Sequence, residues 1–491
     1  MKQAYALLAA AATGLACAET PVAVQLHESR DGIGHILIVP YYTTQSGNAT
    51  LLNIINTDRT NGKAIKIRFR GASNADDLFN FTLFLSPNDV WAAELSQNPS
   101  TGLTRLSTQD ESCTLPTLIN KDVGTTRLNP VLDVANESRE GYIEIISMAD
   151  IMPGTDLHTA TTPVNGNLPT KCSQGSPAPI SLQALLTETG IKNAGFGAPT
   201  TGLFANWSIF NVTEATSWAG PATAIVAVDA NGVAGKANVV VHPQALGSPS
   251  STAMELTSDP ILRSPGFAIQ HTDFPDLSTP YIGSNTSIQQ ASMISAALAK
   301  TSAKNEYFID KRVQASTDWV FTLPTRRYSV AVDYAKSQAV FTKLSPDYFN
   351  ASNSEFLDSG NPLHSRVCTT KVFFEFSNRS GKSWNNTAGG AVAPPGASWI
   401  LICGAAHVLS MGDGVVPTVS PLYATVNNDG LEQWFNDFEG WGEIRMAGAG
   451  GDGLPLSGIA FSKAISTNIG AGISGNFGLT WPHRYTRPSR N

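Results

Sequence analysis

The residues best suited to chemistry stand late in the chain, in the stretch WFNDFEGWG, where Asp437 and Glu439 lie two positions apart among aromatic side chains. Glycoside hydrolysis uses such parts: one carboxyl group protonates a leaving oxygen, a second attacks or activates water, and rings stack on sugar. Two acids so spaced in a turn are more simply solvated, and that reading is preferred. Asp76-Asp77 and Asp110-Glu111 fall in polar, turn-like stretches and are read as solvated too. His271-Thr272-Asp273 offers two metal donors without a third nearby, while His35 and His407 lie in apolar runs that suit core histidines. The turns Asp229-Ala230-Asn231-Gly232, Asp413-Gly414 and Asp452-Gly453 are oxygen-rich in the manner of Ca2+ loops, yet none completes a ligand set. Structural calcium is the one cofactor left open. GxSxG, HExxH, Walker A and CxxCH patterns are absent, and AGAGGDGLPL reads as glycine-rich turns. No catalytic or cofactor-binding residue is assigned, and a non-enzymatic protein is expected.

Cysteine is the remaining reactive type. The chain holds 5, and Cys17 sits in MKQAYALLAAAATGLACAET, which has the single charge, short apolar core and small-x-small site of a secretory signal peptide. Residues 1–18 are expected to be removed; a lipoprotein box at Cys17 is the rival, with Leu15 one place too late. Cys113, Cys172, Cys368 and Cys403 remain, an even number that implies disulfides in an oxidising compartment. The least demanding pairing joins Cys113 to Cys172 and Cys368 to Cys403. No CxxC or paired Cys/His spacing is read as a metal site.

The elements that must position these groups are mostly strands. Only 14% of the 491 residues are charged, with 42 Gly and 29 Pro, which suits a turn-rich β protein. A formal charge of -7 argues against a nucleic-acid partner, and no apolar run is long enough for a transmembrane helix. ILIVPYYT, TLLNIIN, FNFTLFL and VWAAEL read as successive strands, with Pro40 marking an edge or bulge. AIKIRFR alternates strictly, which predicts a half-buried strand with Lys66, Arg68 and Arg70 on a basic outer face. One helix is expected from Ser287, where apolar residues recur at helical spacing in SIQQASMISAALAKTSAKNEYF, as a packing element. The fold class expected is mainly β: two antiparallel, immunoglobulin-like β-sandwich domains at 19–250 and 317–491, with a connector and one helix at 251–316. EGYIEI from Glu140 and EGWGEI from Glu439 suggest that the halves are duplicated.

Two segments carry a resemblance. GIGHILIVPYYTTQSGNATLLNIINTDRTNGKAIKIRFRGASNADDLFNFTLFLSPNDVWAAEL, from Gly32 to Leu95, is similar to the N-terminal region of a family of exported proteobacterial proteins; NEYFIDKRVQASTDWVFTLPTRRYSV, from Asn305 to Val330, resembles its central motif, and GNFGLTWPHRYTR its end. Members are labelled cell-surface or surface-layer proteins, so the resemblance implies an exported structural protein with no active site to transfer. Self-association or contact with cell-envelope components is then the expected partnership. The alternatives are an adhesin binding glycans through Trp434, Trp441 and Trp481, and a hydrolase with a noncontiguous site.

Overall fold

The structure is a computed structural model that describes residues 21–116, 119–163, 193, 195–239, 287–334, 336–341, 348–357, 366–370, 372–385, 402–412, 420–431, 439–470 and 473–488. The leader, Cys172, residues 271–273, Asp413, Trp434 and Asp437 lie outside them, as does most of the expected connector.

Alternation builds the first half. Asn48–Asn56 buries every second residue, Leu52 and Ile54 among them, and Val90–Gln97 buries Trp91, Ala93 and Leu95 beside them. These strands belong to a six-stranded sheet in the order Thr216–Pro221, Leu203–Asn211, Asn48–Asn56, Val90–Gln97, Thr104–Ser107, Lys121–Asp122. Facing it is an eight-stranded sheet: Gln25–Glu28, Thr223–Val228, Ile36–Thr43, Glu140–Ile151, Gly62–Gly71, Asp77–Leu85, Cys113–Leu115, with Phe196–Gly197 beside Glu140–Ile151. Pro40 sits opposite a register shift between Gly141 and Ile143, the bulge its missing N–H requires.

The second half is again two sheets. One runs Ser383–Asn385, Val372–Asn378, Glu439–Met446, Ser302–Phe308, Arg484–Thr486; the other runs Asn428–Leu431, Ala406–Met411, Ser316–Thr322, Ser457–Gly470, Ile473–Pro482. In chain order these ten strands occupy the places of Ile36–Thr43, Asn48–Asn56, Gly62–Gly71, Asp77–Leu85, Val90–Gln97, Thr104–Ser107, Glu140–Ile151, Leu203–Asn211, Thr216–Pro221 and Thr223–Val228, with the same neighbours in both sheets. The one departure is that Asn428–Leu431 runs parallel to its neighbour, where Thr104–Ser107 is antiparallel. The protein is mainly β, and its two sandwiches repeat one topology.

The repeat extends to side chains. Tyr42 lies across from Gly141, and Tyr307 across from Gly440. A Cβ on Gly141 would collide with the Arg70 carbonyl and the Tyr42 ring, and one on Gly440 with the Ser377 carbonyl and the Tyr307 hydroxyl. EGYIEI and EGWGEI are thus the central strands of their sheets, each with a glycine over which a neighbouring tyrosine folds.

Two sheets are buried on both faces. On Ile36–Thr43, Leu37 and Val39 face the first sandwich's interior while Ile36 and Ile38 face a second apolar layer that includes Leu157, Ile294, Ala297 and Leu298. This layer overturns the expected basic outer face: Lys66, Arg68 and Arg70 are fully buried. Alternating charges in a strand reveal its period but not whether a further layer covers the charged side. The helix Ser287–Leu298 supplies part of that layer, as a packing element. Its pattern was expected to run further, but from Ser302 the period changes to two, with Ala303 and Tyr307 inward, and the chain becomes the strand Ser302–Phe308. No helix among the described residues is long and apolar enough to cross a membrane.

Candidate functional site

The acids singled out in the sequence separate by environment. Asp110 and Glu111 are in an open loop, where the Ser112 N–H donates to Asp110 at 2.8 Å. Asp229 accepts from the backbone N–H groups of Asn231 and Val233, an ordinary Asx turn, and Asp452 is exposed. Asp76 departs from expectation: it is buried, and the Tyr334 hydroxyl donates to it at 2.6 Å. Asp77 is buried too and accepts from Asn80 Nδ2 at 2.8 Å. Their turn is covered by the second half of the chain, which local composition does not reveal. His35 and His407 are buried, as read from the apolar runs around them. Burial, and then the Lys63 ammonium, pull the His35 imidazole down to about 3. His483 escaped notice in the sequence; it stacks on Phe321 with ring centroids 5.0 Å apart, and burial lowers it to about 4.

Two buried charge centres lie under the sheets, one inside the first half and one between the halves. Lys63 Nζ donates to Asp150 at 2.6 Å and to both oxygens of Thr200, with Asp58 at 3.3 Å. Glu144 receives Arg70 Nε and Arg327 Nε, each at 3.2 Å, and faces Arg68 at 3.9 Å. Arg327 comes from the short turn Arg326–Tyr328, so this centre ties the second half to the first. Buried ions of this kind need such partners, because removing one leaves the others uncompensated.

Several clefts open at the surface among the described residues, and two of them gather acids discussed above or aromatic rings. The first, of about 740 Å3, is walled by Glu28, Arg30, Asp31, Thr57, Asp58 and Gly202. Ser29 and the Ile33 N–H hold Asp31 below the usual carboxylate range. For Asp58 burial acts upward but is outweighed by the N–H groups of Asn61 and Thr60 and by Lys63. Both carboxylates therefore stay ionised near neutrality and serve as acceptors, not proton donors. The second cleft, of about 430 Å3, lies between the sheets of the C-terminal sandwich, lined by Glu306, Phe308, Arg379, Glu439, Leu479 and Trp481. Glu439 pairs with Arg379 there. Trp481 continues an exposed row with Phe477 and Leu479 along one face of Ile473–Pro482, and Trp441 stands on the neighbouring outer face, across from Glu306. The structure thus brings Trp481 to Glu439, while Asp437 and Trp434 lie outside the described residues.

Cys368 and Cys403 form a disulfide between paired strands, as their spacing suggested. Cys113 is also disulfide-bonded, and its expected partner Cys172 lies outside the described residues. Beside Cys403, donor atoms of His407 and Asp429 gather within 4.8 Å. No paired Cys/His spacing in the sequence reads as a metal site; the partial signal is Cys403-x3-His407, a single pair that does not make a ligand set without Asp429. Burial lowers the His407 imidazole to about 4.

No protein-family model, curated protein or solved structure matches this chain.

Proposed function

We propose that the protein is an exported, non-enzymatic cell-surface protein with a structural role, a subunit of an envelope layer or filament. One observation carries this reading: the two segments behind the family resemblance meet in the buried joint between the sandwiches. The Thr322 hydroxyl donates to the Pro40 carbonyl, and Glu144, on the adjoining strand Glu140–Ile151, bridges the two segments by pairing with both Arg70 and Arg327. What the segments share with surface proteins is therefore scaffold. A rigid pair of sandwiches held by buried ion pairs suits a subunit that transmits load through repeated contacts. Electron microscopy of native envelopes beside a gene-deletion strain tests it: a regular layer or filament should vanish with the gene, and identical envelopes would overturn the reading.

The C-terminal cleft favours one second reading, a glycan-binding adhesin. An exposed indole beside paired acidic and basic side chains is a surface on which a sugar ring can stack and hydrogen-bond. A glycan-array signal abolished by Trp481→Ala and weakened by Trp441→Ala supports it; silence across a broad array removes it.

A further inference from the structure

We propose that reduction of the Cys368–Cys403 disulfide opens a site for a zinc-class divalent cation, held by the two thiolates, His407 and Asp429. The residues come from four strands: Arg366–Thr369, Ile402–Cys403, Ala406–Met411 and Asn428–Leu431. Gly404, at φ +65°, makes the turn that sets Cys403 beside His407. Sγ of Cys403, a ring nitrogen of His407 and a carboxylate oxygen of Asp429 all lie within 4.8 Å of one another, and Cys368 Sγ is bonded to the first. Donors around tetrahedral zinc stand roughly 3.5 Å apart, from metal–ligand bonds of about 2.0–2.3 Å, so a small contraction completes the set.

The second observation is His407 itself. It is fully buried, and among the described residues neither ring nitrogen has a hydrogen-bond partner. Nε2 stops 3.7 Å from Asp429 Oδ2, too far for a hydrogen bond. Buried polar groups are rarely left so, and one explanation is a ligand absent from the oxidised state. Charge agrees. Two thiolates, a carboxylate and a divalent cation sum to minus one, and Arg366, 3.5 Å from Asp429, stands ready to offset it. Its Nε is likewise buried without a partner.

The electrons balance with a dithiol as reductant. It gives two electrons and two protons to the Cys368–Cys403 bond and becomes a disulfide; the two new thiols then release their protons to solvent as the cation binds. Disulfide and metal exclude each other, so the oxidised protein is closed to the cation and the reduced protein open.

The test uses the full-length protein and Co2+, whose thiolate charge-transfer absorption reports sulfur ligation. The oxidised protein should show no such band. After reduction with a phosphine, one equivalent of Co2+ should saturate a band that persists in Cys113→Ser. His407→Gln and Asp429→Asn should each weaken Co2+ binding at least about tenfold. Asp429 is 42% exposed and Asn keeps an oxygen acceptor for Arg366, so that variant perturbs the fold less than His407→Gln. The proposal is overturned by a reduced protein that keeps native tryptophan fluorescence without a band. Unchanged affinity in Asp429→Asn and His407→Gln overturns it as well, as does a band that forms only once native fluorescence is lost.

Discussion

Asp318 and His483 are both buried yet give the protein opposite responses to acid. Asp318 receives the Ser410 hydroxyl at 2.6 Å, the Leu422 N–H at 3.2 Å and the Ser420 hydroxyl. Burial still prevails over these donors and raises the carboxyl from 3.8 to about 7. Between those values the folded state binds more protons than the unfolded chain, so this group's contribution is full below the unfolded value and is lost as pH rises towards 7. The difference is on the order of 4 kcal/mol. Asp318→Asn should remove it: urea unfolding at pH 5 and pH 8 is expected to show wild type losing stability across that interval relative to the variant. A parallel loss in both proteins would show that the acid is ionised in the fold. His483 has the other sign. Its Nε2–H donates to the Val320 carbonyl at 3.2 Å and Nδ1 accepts from Asn305 at 2.9 Å, an arrangement only the neutral ring satisfies. Its stabilising effect is present above the unfolded value of 6.5 and is lost as pH falls towards about 4. His483→Phe should cost about 1–3 kcal/mol at pH 7 through two broken hydrogen bonds, while flattening the acid limb between pH 6.5 and 4. An unchanged acid limb would locate the acid sensitivity elsewhere.

At the scale of elements, the paired glycines give the sharpest expectation. Gly141→Ala and Gly440→Ala should each cost about 3 kcal/mol or more, because the obstacle in both is a backbone carbonyl that cannot swing aside. Gly32 has open space around it, so Gly32→Ala should cost only about 1–2 kcal/mol for its φ of +77°. Thermal unfolding of the three variants checks the ranking, and equal costs would mean that the sheets yield at the glycines. These strands also show what the sequence discloses. The strand at TLLNIIN and the start of the helix at Ser287 could be read locally, though not the helix's end at Leu298, and EGYIEI with EGWGEI announced the repeat. The side on which Lys66, Arg68 and Arg70 lie was not legible, because their cover comes from distant segments, some of them, such as Ile294 and Arg327, over two hundred positions away. The Cys403, His407 and Asp429 group was only partly legible: the Cys403-x3-His407 spacing is in the sequence, but Asp429 joins the other two only through the parallel pairing of Asn428–Leu431 with Ala406–Met411. Local pattern fixes period and turn; burial and convergence depend on which distant segment arrives.

For the whole molecule, the decisive residue is Phe461. It belongs to the C-terminal strand Ser457–Gly470, yet its ring sits in the first sandwich, 5.6 Å from Trp207 and 6.4 Å from both Tyr41 and Trp218. Val320, Ala406, Val408 and Ile459 join the same core, while Trp319, Leu409 and Ala460 on the same strands face the second sandwich. One sheet is thus shared between two interiors, so neither half can unfold without exposing the other. Differential scanning calorimetry of the wild type should therefore show one endotherm whose calorimetric and van't Hoff enthalpies agree. Two well-separated transitions in wild type would refute the shared core. Phe461→Ala should cost about 3–5 kcal/mol, and the loss falls on the joint itself. The aromatic cluster closing the first sandwich then opens on one side, while the second keeps Trp319 and its own neighbours. The expected trace is a lower endotherm that divides in two, because the variant weakens the coupling between the sandwiches more than either sandwich. Cooperativity follows from the double use of one sheet, and this single ring tests it.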